Sequence, residues 1–162
     1  MGSKTSPRDL AASIYGPSYI SFEYALSFYG LIENKEKTIT CAAYGKRKEK
    51  VYETMFGAFT YRDIPKPVFS KGLVLYRENG YSFIMASPEK AFCDELYKSE
   101  PAANLKELRT LMFDRIGIGK RKIFRLDPLV IYEMADGYGC RNLHLLKSFL
   151  RKKYGNIAES NR

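Results

Sequence analysis

"KTITCAAYGKRKEKVYETMFGAFTYRDI", residues 37 to 64, decides the fold. Thr38, Ile39, Thr40, Val51, Tyr52, Thr54, Phe59, Tyr61 and Ile64 are β-branched, aromatic or both by turns, and such residues favour a pleated, half-buried surface. Gly45 and Gly57 mark reversals, so the stretch predicts two successive hairpins. "IPKPVF" then interrupts pairing, because its two prolines carry no backbone donor. "GLVLYRENGYSFIMAS" resumes with two apolar runs divided by Asn79-Gly80, a dipeptide suited to a tight hairpin turn. The middle of the chain therefore reads as an antiparallel sheet of about four or five strands.

Outward from the sheet the period changes to that of helices. "PRDLAASIY" is a short helical segment followed by the turn-forming "GPS". In "GPSYISFEYALSFYGLI", residues 16 to 32, Phe22, Ala25, Leu26 and Tyr29 recur on one helical face, with Ser21 as cap, Glu23 at the positive end and Gly30 as stop. Tyr24 and Phe28 form a second aromatic row beside that stripe. The stripe predicts a core helix rather than one that reads a partner.

Beyond the sheet, "SPEKAFCDELYKS" places Ser87 at the cap, Pro88 at the first helical position and Glu89 near the dipole. "NLKELRTLMFDRIG" predicts a helix capped by Asn104 and ended by Gly117 and Gly119, and "DPLVIYEMADGYG" and "RNLHLLKSFLRKKYG" predict two more. The expected architecture is α+β: central antiparallel hairpins in a small sheet, flanked by an N-terminal helix pair and a C-terminal helical region. Residues 1–7 read as a tail or expression scar and 8–162 as one domain, of which 100–162 is a basic helical portion.

A chain of 162 residues buries enough apolar surface to fold without staples. Cys41, Cys93 and Cys140 are odd in number and widely spaced, so reduced thiols are expected. There is no apolar run of membrane-spanning length and no secretory leader, which points to a cytoplasmic protein with no membrane partner. The net charge of +9 is unevenly spread: residues 1–114 hold 16 basic and 14 acidic side chains, residues 115–162 hold 11 and 4. A positive field concentrated in the last third favours a polyanionic partner.

Catalytic constellations are weak. His144, the only histidine, has Cys140 and Ser148 one turn away and no carboxylate at helical spacing; Cys140 and His144 alone do not make a zinc site. "GIGKRK" lacks the strand and spacing of a phosphate loop. Asp63, Glu89 and Asp94 with Lys90 are the residues of an alternative reading, a magnesium-dependent nucleic-acid-processing enzyme. Glu89 has a structural explanation at a capped helix start. The expectation is therefore a non-enzyme with no cofactor and no metal.

The charge clusters carry more. Lys120, Arg121, Lys122 and Arg125, joined by Arg141, Lys147, Arg151, Lys152 and Lys153, are candidates for phosphate contact. Lys46, Arg47 and Lys48, at an expected hairpin tip, are candidates for the same role or for protection of a sheet edge. The first two helices are a poor helix-turn-helix, since the second presents Phe, Tyr and Ser instead of side chains suited to base edges. A further alternative is a protein-interaction module with no nucleic-acid role.

Taken in order, "YGPSYISFEYALSFYGLI", "TITCAAY", "FGAFTYRDIP" and "MASPEKAFCDELY" resemble the antitoxin domain of AbiEi-type transcriptional regulators of prokaryotic type IV toxin-antitoxin systems, over roughly residues 14 to 98. The resemblance implies a DNA-binding repressor and antitoxin whose partner is a nucleotidyltransferase-like toxin. Members often carry a winged-helix domain ahead of this one, and none is evident here, which bears on sequence-specific reading more than on toxin neutralisation. No catalytic residue transfers with the resemblance.

Overall fold

Ile39–Ala43 (β2) is buried along its whole length, so it must lie where both faces of a sheet are covered. In the computed structural model, which describes residues 7–33, 37–45 and 47–155, β2 is a central strand. The sheet also contains Ser18–Ile20 (β1), Lys50–Thr54 (β3), Gly57–Asp63 (β4), Leu73–Glu78 (β5) and Tyr81–Ala86 (β6), in the order β3-β4-β2-β1-β6-β5. Seven α-helices accompany these strands among the described residues: Pro7–Ile14 (α1), Phe22–Phe28 (α2), Lys66–Phe69 (α3), Pro88–Lys98 (α4), Leu105–Arg109 (α5), Pro128–Tyr138 (α6) and Arg141–Tyr154 (α7). The class is α+β, as expected.

The hairpins differ from the expectation in one respect. β3–β4 and β5–β6 are antiparallel pairs, with Thr54 opposite Gly57 and Glu78 opposite Tyr81, and the second turns on left-handed Asn79 and Gly80. The reversal at Gly45, however, does not fold β3 back onto β2. β4 lies between them and runs parallel to β2, from Ile39 opposite Phe59 to Ala43 opposite Asp63. β1 pairs antiparallel with β2 and parallel with β6, so the sheet is mixed. The burial pattern explains this order: Lys50, Val51, Glu53 and Thr54 of β3 are exposed and suit an edge, which "ITCAA" cannot occupy without losing its cover.

The sheet is covered on both faces. On one, the Tyr61 hydroxyl donates to the carbonyl of Ala11 in α1, and the Tyr61 ring meets Tyr15 and Tyr52. On the other, Arg62 reaches α2 and α4 through Glu23 and Glu95, at 2.8 and 3.9 Å, while its guanidinium lies 4.6 Å over the Phe22 ring. Phe22, Ala25 and Leu26 are buried and Tyr29 is half-buried, so α2 is a core helix as its periodicity indicates.

Its cap is not the expected one. The Ser21 hydroxyl donates to Asp94 at 2.7 Å, and the Tyr24 N–H is instead accepted by Thr40 Oγ1 on β2 at 2.9 Å. A side chain from a neighbouring strand thus does the work of a local cap.

"IPKPVF" forms the one-turn α3. Ser87 and Asn104 cap α4 and α5 as expected, accepting from Lys90 N and Glu107 N. α5 continues as a π-helical segment, Thr110–Ile116, that stops at left-handed Gly117. α4 packs on α2, β6, α6 and α7 and so joins the sheet to the C-terminal helices. One cluster of buried apolar residues runs from Ala11 to Leu150. Among the described residues no helix is long and apolar enough to cross a membrane.

Candidate nucleic-acid interface

The turn at residues 119–126 begins with a close approach: a Cβ on Gly119 would stand 2.9 Å from the Lys122 side chain, which would have to shift. Gly119 O accepts the N–H groups of Lys122 and Ile123, closing the 3-10 turn Lys122–Arg125. Ile123 and Leu126 are buried and anchor it. Lys120, Arg121, Phe124 and Arg125 therefore project outward, and Lys122 is half-buried.

α7 supplies the other wall. Leu143, Leu146, Phe149 and Leu150 face the core at helical spacing, which leaves Arg151, Lys152 and Lys153 exposed. The Lys153 ammonium sits 4.6 Å from the centre of the Phe124 ring, and the Tyr154 ring approaches Phe124 at 6.3 Å. These contacts bring the 120–125 cluster and the end of α7 into one patch. Its aromatic members, Phe124 and Tyr154, escaped a reading based on charge, although "KIFR" and "KKYG" set each of them beside lysines.

The remaining candidates divide. Lys147 forms an ion pair with Asp136 at 2.7 Å and lies 4.5 Å over the Tyr132 ring; its hydrogen bond holds the Asp136 carboxyl below the ordinary value. Arg151 donates to the Tyr132 hydroxyl and covers the same ring at 5.1 Å. Both are held on the α6–α7 face.

Arg141 is placed apart. Its guanidinium donates to the carbonyls of Ala102 and Ala103, at the opposite end of α7 from Lys153, about 18 Å away along a helix axis. That is a structural duty. Arg47 and Lys48 lie on the β2–β3 connection, where the Arg47 N–H donates to Asp63 at 2.6 Å. Lys46 lies outside the described residues.

The carboxylates of the alternative reading do not converge. Asp63 is occupied by Arg47, and Glu89 accepts from the Asp127 N–H at 3.4 Å. Asp94 is fully buried with Lys90. Tyr19 and Ser21 donate to one Asp94 oxygen and Tyr138 to the other, with Lys90 Nζ 3.4 Å from the latter. Lys90 Nζ also donates to the Val68 carbonyl and contacts the Tyr138 hydroxyl at 3.0 Å.

Burial pulls the Lys90 ammonium below its usual value against the attraction of Asp94, and pushes Asp94 up against Lys90 and its hydroxyl donors. Burial and then the Asp94 charge hold both tyrosines protonated, as donors. This is a sealed structural network. Among the described residues no three His, Cys, Asp or Glu side chains are grouped so as to hold a metal ion. Cys140 is half-buried and His144 exposed, both on an open cleft with Asp136 and Arg141.

No protein-family model matches the chain, and neither a curated protein nor a solved structure matches it.

Proposed function

We propose that this chain is a non-enzymatic regulator of the antitoxin type that engages DNA phosphates through the patch shared by the 119–126 turn and the end of α7. The observation that carries the reading is the seating of Lys153 on Phe124, which joins side chains 29 residues apart in sequence into one cationic surface with Lys120, Arg121 and Arg125. Such a surface contacts the backbone and supplies affinity without base specificity. The stretches that resemble AbiEi-type antitoxin domains support the same class and add a nucleotidyltransferase-like toxin as a second partner, in the cytoplasm of a prokaryote.

Fluorescence anisotropy with duplex DNA from the region upstream of the gene, beside a scrambled duplex, tests this across a salt series. Binding that weakens steeply with salt is the expected result, and preference for the upstream duplex would mean that this chain alone regulates. No binding at low salt would overturn the DNA reading and move the assignment to protein contact.

A further inference from the structure

Phe124 and Tyr154 are 52% and 42% exposed, and they meet edge to face at the centre of the cationic patch. Phosphate binding alone has no use for two exposed rings. Arg121, Lys122 and Arg125 flank Phe124 on its own turn, and Lys152 and Lys153 precede Tyr154. An apolar protein anchor seated there would have to strip water from those cations. A polynucleotide would not, because its phosphates neutralise them.

The rings also discriminate between forms of nucleic acid. Bases in a duplex are stacked on one another and hidden from a surface aromatic, whereas unpaired bases offer a free π-face. Lys153 lies over one side of the Phe124 ring, 4.6 Å from its centre, while half of the residue stays open to solvent. Building on the nucleic-acid reading above, we propose that Phe124 and Tyr154 are a stacking platform for unpaired nucleobases. The patch then takes single-stranded nucleic acid, with the strand's phosphates on Lys120, Arg121, Arg125 and Lys153.

The test compares a 12-nucleotide strand with an otherwise identical strand carrying abasic sites, so that phosphates are retained and bases removed. The full-length protein should bind the base-bearing strand on the order of tenfold more tightly. That ratio should fall toward one in Phe124→Leu, which preserves apolar bulk and is checked for folding by thermal melting. Because the chain contains no tryptophan, Phe124→Trp adds a single reporter whose emission should be quenched by the base-bearing strand and not by the abasic one. Equal binding of the two strands overturns the platform and leaves phosphate binding standing. Absence of binding to any strand or duplex at low salt overturns both.

Discussion

Asp94 has no exposed surface, and its two oxygens receive three hydroxyl donors and face one ammonium. Truncating it strands Lys90 as an unpaired buried charge and leaves Tyr19, Ser21 and Tyr138 without their acceptor. Asp94→Ala should therefore destabilise the fold by about 3–5 kcal/mol, read as a lower urea midpoint. Tyr138→Phe, which removes one donor to Asp94 and one acceptor of Lys90, should cost about 1–3 kcal/mol in the same assay. Glu89 and Lys90 were legible as the first turn of a helix, but the burial of Lys90 was not. An i,i+4 pair of opposite charge normally marks a solvated face, and only the arrival of Tyr19, Val68 and Tyr138 from distant parts of the chain reverses that reading.

At the scale of elements, α3 crosses α6 so closely that a Cβ on Gly137 would lie 2.5 Å from Val68 Cγ1. A glycine-to-alanine change within a helix ordinarily stabilises it. Here Gly137→Ala should cost about 1–3 kcal/mol, because buried Val68 has no room to yield; thermal melting checks the sign.

A second contact joins α2, β4 and α4. Burial, followed by the neighbouring Glu23 carboxylate, pushes Glu95 up to about 8, against the pull of Arg62. Between the unfolded value near 4.5 and this folded value the native state holds the extra proton. The stability Glu95 contributes is thus fully present below the unfolded value and is lost as pH rises through about 8. Melting temperature should fall between pH 5 and pH 9, and Glu95→Gln should reduce that fall. Helices α2, α4 and α6 were readable from caps and periodicity, whereas α3, whose prolines read only as a break in pairing, and the place of β2 between β1 and β4 were not. Pairing order in a sheet is settled by which strands need cover on both faces.

Across the whole molecule the cations of the last third divide between those the fold engages, such as Arg141 and Lys147, and those to which the proposed phosphate contacts fall. Replacing Lys120, Arg121 and Lys153 together with glutamine should weaken duplex binding and lower the slope of log affinity against log salt by about three, one for each lost phosphate contact. Arg141→Gln should leave that slope unchanged and lower stability by about 1 kcal/mol, since its hydrogen bonds tie α7 to the 102–103 loop. Titrations on one duplex, with melts of each variant, separate the two roles. The basic residues of the last third were all visible in the sequence, but their division was not, because charge density along a chain carries no information about which cations the fold has already engaged.

Local chemistry in the sequence determined the helices through Ser87, Asn104 and Gly117, the β5–β6 hairpin through Asn79-Gly80, and the inward face of α2 through Phe22, Ala25 and Leu26. These depend on neighbours within a few residues, so spacing and residue type suffice to read them. The tertiary structure alone decided that β2 runs parallel to β4, that Thr40 caps α2 from another strand, and that Lys90 is buried. It also decided that Phe124, Lys153 and Tyr154 share one patch. Each of these turns on competition among distant segments for cover from water and for hydrogen-bond partners, and that competition is resolved only when the whole core closes.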